Sequence, residues 1–322
     1  MTYPPAIFLM GPTASGKTAL AVQLAQKLDS EIISVDSALI FKGMDIGTAK
    51  PSLSERGGIV HHLIDILQAN EAYSVAQFRQ QALSLMADIH QRGKIPILVG
   101  GTMLYFKSLL EGLATLPEAD ANIRTRLAHE LAAGGKQAQY QRLSAIDPQA
   151  AARIHPNDPQ RIHRALEVYE LTGRALSEFF TPNQSPLLPY QVLKFLLLPA
   201  DRAELHHKIA HRFQQMLDQG LIAEVETLYQ RGDLNENLPA IRAVGYRQVW
   251  AYLKGELDFN PMKERAIIAT RQLAKRQFTW LRQQTEASVL LNNDPQCLDK
   301  LLTQLQNSLN TKKAAKINPS VN

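Results

Sequence analysis

Residues Gly11-Pro12-Thr13-Ala14-Ser15-Gly16-Lys17-Thr18 match the pattern G-x-x-x-x-G-K-[ST], a spacing whose chemistry is anion capture. The glycines let backbone N–H groups turn inward around a phosphate, and the helix N-terminus behind them adds partial positive charge. Lys17 is placed to reach the terminal phosphate oxygens, and the Thr18 hydroxyl to hold Mg²⁺. Such a loop reads a diphosphate, not a nucleotide. A hydrolytic nucleoside triphosphatase would usually add a strand ending in an acidic metal ligand, but residues 95–99 run into Gly100-Gly101-Thr102. Asp65, in Ile64-Asp65-Ile66, is a substitute or equally a polar residue of an ordinary strand. Diphosphate and magnesium are indicated; the reaction stays open.

A carboxylate follows the next apolar run, in Asp36-Ser37-Ala38-Leu39. The carboxyl ends of strands in a doubly wound sheet face the ligand crevice, so Asp36 is directed toward the phosphate loop. There it can take a proton from an acceptor, cap a helix, or hold magnesium through water. Position alone does not separate these roles. Downstream, Lys42-Gly43-Met44-Asp45-Ile46-Gly47-Thr48-Ala49-Lys50 forms a loop that no regular element explains.

Strands at 6–10, 31–35, 63–66 and 95–99 are expected to position these groups. Helices alternate with them: one from Lys17 with Leu20, Leu24 and Leu28 on one face, another over 75–91 capped by Ser74 and closed by Gly93. That alternation predicts an α/β fold, a P-loop NTPase-like parallel sheet flanked by helices. From 118 to 177 the pattern is helical, and 187–198 reads as strand again. A helical insertion domain is therefore expected at 118–186, within a core of 1–117 and 187–322. Residues 203–282 read as mostly helical, 289–291 as a last short strand, and the stretch beyond 309 as a disordered tail.

The 322 residues are 45% apolar, 20% charged and 7% aromatic, a globular composition. No stretch approaches the roughly 20 apolar residues of a membrane span, and the first apolar run feeds a Gly-rich loop instead of a cleavage site. One cysteine, Cys297, excludes an internal disulfide and a cysteine-based zinc module. The adjacent pairs His61-His62 and His206-His207 point to opposite sides of any element and read as ordinary histidines. A cytoplasmic, monomeric protein is expected. Net charge is +5, yet residues 242–282 alone carry +6, a footprint for a polyanion or simply a solvated helix face.

Several motifs together resemble the bacterial tRNA dimethylallyltransferase family. They are the loop at 11–18; Ser34-Val35-Asp36-Ser37-Ala38-Leu39-Ile40 with Gly43-Met44-Asp45-Ile46-Gly47-Thr48-Ala49-Lys50-Pro51; and Val99-Gly100-Gly101-Thr102-Met103-Leu104-Tyr105. Further along come His155-Pro156-Asn157-Asp158-Pro159-Gln160-Arg161, Ala243-Val244-Gly245-Tyr246-Arg247-Gln248 and Thr270-Arg271-Gln272-Leu273-Ala274-Lys275-Arg276-Gln277. The resemblance implies transfer of a dimethylallyl group from dimethylallyl diphosphate to N6 of the adenine 3′ to the anticodon of a tRNA. Asp36 would be the base, Lys17, Thr18-bound Mg²⁺ and Arg212 the groups on the diphosphate.

The resemblance also implies where the tRNA anticodon stem-loop is held. The residues are Asp36, Ser37, Ala38 and Leu39; Thr102; Gln160, Arg161, Ile162, His163 and Arg164; Arg242, Ala243, Val244, Gly245, Tyr246 and Arg247; Lys275, Arg276, Gln277, Phe278, Thr279, Trp280, Leu281 and Arg282; and Arg124. Arg271, Lys275 and Arg282 line one side of a helix in a way that suits a phosphate backbone. Trp280 could stack on a base or join the core. The rival readings are a P-loop kinase using ATP, a prenyltransferase acting on free adenine nucleotides, and an RNA-binding module without activity.

Overall fold

A computed structural model describes residues 3–180 and 188–317. The chain forms two compact units, one of Met1–Leu110 with Pro189–Asn322 and the other of Glu111–Leu188.

The first unit is built on strands β1 (Pro5–Met10), β2 (Ile32–Val35), β3 (His61–His62), β4 (Ile97–Gly100), β5 (Gln191–Leu198) and β6 (Ser288–Leu291). They pair in the order β3-β2-β4-β1-β5-β6, and every ladder is parallel. Parallel strands must be buried on both faces, which explains runs such as Ile-Phe-Leu-Met in β1 with no polar alternation. Ile7, Leu9, Ile32, Ile97, Val99, Phe195 and Leu197 pack under α1 (Lys17–Lys27), through Leu20 and Leu24. On the opposite face α2 (Val75–Gln91) and α3 (Met103–Glu111) contribute Phe78 and Phe106, the latter 5.2 Å from the Phe8 ring. Each such side chain stabilises the sheet by about 2 kcal/mol relative to exposure. Ser74 caps α2 with a reciprocal Gln77 contact, as its sequence signature predicts.

The second unit holds α4 (Ala121–Ile146), α5 (Pro148–Ala151), α6 (Pro159–Thr172) and a 3-10 turn at Leu176–Phe179, around Leu127, Leu143, Ile162, Leu166 and Val168. The first unit then continues through α7 (Arg202–Asp218), α8 (Leu221–Tyr229), α9 (Tyr246–Leu253), α10 (Phe259–Leu281) and α11 (Cys297–Ile317).

Three expectations are corrected. The third strand is not 63–66: Leu63 and Asp65 have φ of 61° and 57°, so the ladder stops at His62. The backbone there bonds instead to the segment after β2, Asp65 N–H donating to Leu39 O at 3.2 Å and Ile66 N–H to Ile40 O at 2.8 Å. The stretch beyond 309 is not irregular up to 317: α11 continues to Ile317, through residues such as Lys and Ala that favour helix. The strand expected over 187–198 begins at Gln191; residue 187 itself lies outside the described residues. No helix among the described residues is long and apolar enough to cross a membrane.

Candidate active site

The phosphate loop leaves β1 and turns into α1 through Gly16, whose φ of 88° suits glycine. Gly11, Pro12 and Ser15 are buried, Thr13, Ala14 and Lys17 half-buried, and Gly16 and Thr18 exposed. The Lys17 ammonium donates to Pro12 O at 2.6 Å and lies 3.4 Å from Ser15 Oγ, so it is folded over the loop. Burial pushes Lys17 down to about 8; the Asp36 charge opposes that shift and the Arg212 charge adds to it. Arg212, on α7, is likewise lowered by burial and supported by Asp36 and Glu55. Lys17, Asp36 and Arg212 therefore share one electrostatic field although they are far apart in sequence.

β4 lies between β1 and β2, so the turns after all three strands open at the same edge of the sheet. Asp36 closes its own turn: Oδ1 accepts from Ala38 N–H at 2.8 Å and more loosely from Leu39 N–H at 3.4 Å. It thus combines a local capping role with a place beside the cations. Thr102 Oγ1 accepts from Ser37 N–H at 3.1 Å and its own N–H donates to Val35 O at 3.1 Å, joining the turn after β4 to the one after β2. Gly100 permits this approach, since a Cβ there would stand 2.0 Å from Val35 O. Tyr105, one helical turn on, feels the Asp36 charge too; burial above all holds its phenol un-ionised.

The unexplained loop after Lys42 is held from two directions. Glu224 on α8 accepts from the N–H groups of Asp45, Ile46 and Gly47 at 2.8, 2.7 and 3.1 Å, and from Tyr246 Oη at 2.5 Å. The buried Lys50 ammonium donates to Phe41 O at 2.8 Å and pairs with Asp45 at 2.6 Å and with Asp65. Asp65 is therefore engaged by Lys50 and, more loosely, by Arg56 at 3.8 Å. Glu224 carried no motif, and its backbone partners lie nearly 180 residues away, so nothing in the sequence marked it.

Of the residues assigned to RNA, Ser37, Arg242, Arg247, Lys275, Arg276, Thr279 and Arg282 are exposed in the first unit; Asp36, Ala38, Leu39, Thr102, Ala243, Val244, Phe278 and Trp280 are half-buried. Lys107 lies over the Trp280 ring at 5.3 Å, so this indole is neither core nor bare. The side chains of Tyr246 and Leu281 are buried in the scaffold, and Gly245 is buried beside Tyr246. Gln277 is buried as well, its amide bonded at both ends to the first unit's own backbone.

In the second unit Gln160 and Arg161 are exposed at the start of α6, whereas Ile162 is core. The amides of that first turn are not all free, because Asp158 Oδ1 accepts from Arg161 N–H at 3.1 Å. Arg124 and Arg164 both pair with Glu167, at 2.8 and 2.7 Å, and so brace the fold. Burial pushes the Glu167 carboxyl up, but those two guanidinium groups outweigh it and hold it ionised below the usual range. His163 Nε2 donates to Gln139 Oε1 at 2.7 Å, and burial pushes the imidazole down.

The IPP transferase family model matches residues 39–284. The chain belongs to the IPP transferase family. A tRNA dimethylallyltransferase of Methylococcus capsulatus is 55% identical over 303 residues, covering 94% of this chain and 97% of that protein. Another, of Thioalkalivibrio sulfidiphilus, is 62% identical over 287 residues, 89% and 90% of the two chains. The crystal structure of a tRNA isopentenylpyrophosphate transferase from Bacillus halodurans superposes with a TM-score of 0.72 at 35% identity, over 98% of this chain and 99% of that one. A eukaryotic dimethylallyltransferase caught acting on tRNA gives 0.80 at 29% identity, over 97% and 80%. The fold is that of these transferases, a P-loop-like α/β sheet. The family match begins at Leu39, so the phosphate loop and Asp36 lie ahead of it and rest on their own geometry.

Because only the protonated Lys17 attracts an anion, affinity for inorganic diphosphate should weaken as pH rises through about 8. Calorimetric titration across that range checks this. The variant Lys17→Arg should move the loss to higher pH, since arginine stays charged.

Proposed function

We propose that the chain is a tRNA dimethylallyltransferase that moves the dimethylallyl group of dimethylallyl diphosphate to N6 of the adenine 3′ to the anticodon. The observation that carries the reading is that the 11–18 loop and the turn bearing Asp36 open at one edge of the parallel sheet, with the charge of Arg212 acting on Lys17 and that of Asp36 on both cations. Relatives bearing that name align over nearly the whole chain.

In this reading the loop amides, Lys17 and Arg212 hold the diphosphate. The bond from N6 to the allylic carbon forms as the carbon–oxygen bond breaks, and diphosphate leaves with the electron pair. Charge growing on the leaving oxygen is met by Lys17 and Arg212, already in place and half-withdrawn from water. N6 is a weak nucleophile because its lone pair is spread into the ring; Asp36 accepts the proton it sheds. The adenine must first leave its stack and enter the crevice beside Asp36 and Thr102.

Magnesium fits this cradle as a companion of the substrate. Thr18 offers an exposed hydroxyl oxygen at the first turn of α1, and among the described residues no cluster of three or more His, Cys, Asp or Glu gathers to hold a metal. Diphosphate oxygens and water would complete its shell, a composition magnesium favours, and the ion would neutralise leaving-group charge.

The exposed Lys275 and Arg276 of α10 and Arg282 at its C-cap, with Arg271 beside them, would take the phosphates of the anticodon stem. The Arg271 Nε atom is buried without a hydrogen-bond partner. In the insertion unit, residues 111–188, Gln160 and Arg161 would serve the same RNA. A single chain acting in the cytoplasm, where tRNA matures, suffices for this chemistry.

Incubating one tRNA with dimethylallyl diphosphate and, separately, with ATP should give a dimethylallyl mass gain on one adenosine in the first case only. Phosphorylated product from ATP would instead establish a kinase. Changing Arg271 and Lys275 together to Ala should weaken tRNA binding and flatten the slope of log K against log salt by about 1.5, measured by filter binding. An unchanged slope would place the RNA elsewhere.

A further inference from the structure

Gln277 stands in the middle of the segment that the family resemblance assigns to RNA, yet it turns its back on solvent. Its neighbours Lys275 and Arg276 are exposed, while Gln277 is only 8% exposed. Its Oε1 accepts from Thr13 N–H at 2.9 Å, in the phosphate loop. Its Nε2 donates to Gly101 O at 2.9 Å, in the turn after β4.

These two segments serve different halves of the reaction. Thr13 belongs to the donor cradle. Gly101 precedes Thr102, whose hydroxyl fixes Ser37 next to Asp36. One planar amide thus spans from the diphosphate loop to the turn that steadies the base. A glycine at 101 makes room for it: a Cβ there would lie 2.4 Å from Gln277 Nε2, whereas the nearest other neighbour, Gly11 O, would be 3.4 Å away.

We infer that Gln277 is a positioning residue for the transfer step. It sets the separation between the donor cradle and Asp36, and it is not an RNA contact. It touches neither reacting atom and acts through Thr13 and through the Gly101–Thr102 turn. Its effect comes from the steep dependence of a displacement on the placement of its partners, where a shift of about 1 Å can cost roughly a hundredfold in rate. This inference rests on the proposed transferase activity.

The test is a double-mutant cycle on Gln277→Ala and Gly101→Ala, read as kcat and KM with dimethylallyl diphosphate and an anticodon stem-loop, beside RNA affinity at several salt concentrations. Gln277→Ala should lower kcat about 10- to 100-fold while RNA affinity and its salt slope stay as in the wild type. Gly101→Ala should do the same, because its new Cβ displaces the amide. The double variant should be no worse than Gln277→Ala alone, since the Cβ then has space. The near-isosteric Gln277→Glu, which keeps the acceptor for Thr13 and loses the donor to Gly101, should fall between, and serves if the alanine variant does not fold. Losses that multiply in the double variant, or a weakened RNA affinity with kcat preserved, would overturn the bridge. A wild-type protein that transfers no dimethylallyl group would fail the proposed function itself, whereas active wild type with fully active Gln277 variants would fail only the inference.

Discussion

Two cations, Lys17 and Arg212, are set into the protein where burial lowers both, with the Asp36 carboxylate supporting each and Glu55 adding to the support of Arg212. Like charges withdrawn from water repel. An anion that enters between them is therefore favoured before any specific contact is counted, and a diphosphate leaving group is favoured more as its charge grows. The fold of the first unit brings the segments that bear these groups together. The parallel sheet does so by opening the turns after β1, β4 and β2 at one edge, and the glycine at position 100 by letting two of those turns meet.

The loop after β2 is anchored in the core by Ile40, Phe41 and Met44, and its polar backbone is tied down by charge. Glu224 gathers three successive backbone N–H groups, with Tyr246 bonded to the same carboxylate, and Lys50 pins Asp45 and Asp65. Such contacts are strong where water is excluded, and losing one partner leaves a buried polar group without a mate. This explains why residues in motifs that look like binding motifs are in several places braces. Tyr246, Gln277, Arg124 and Arg164 all hold protein to protein.

The strand and helix flanking the 11–18 loop and the Ser74-capped helix were legible because their signals are local: spacing, capping and period. What was hidden was long-range. The two-residue β3 carries no apolar run, and residues 63–66 depart from strand with left-handed backbone at Leu63 and Asp65, bonding to the segment after β2 while Asp65 pairs with Lys50, fifteen residues back. The inward turn of Gln277 could not be read from a basic helix whose neighbouring residues face solvent. Charge pattern located the α10 face correctly as exposed at Lys275, Arg276 and Arg282, but a helix places every third or fourth residue inside, and pattern alone did not say which polar one.

The central claim is that Asp36 removes the proton from N6 while the cradle holds the diphosphate, and the variant Asp36→Ala measures it directly. Single-turnover transfer from dimethylallyl diphosphate to a stem-loop RNA should fall by at least about a hundredfold, with the affinity for that RNA nearly unchanged. Turnover close to that of the native protein would contradict the account.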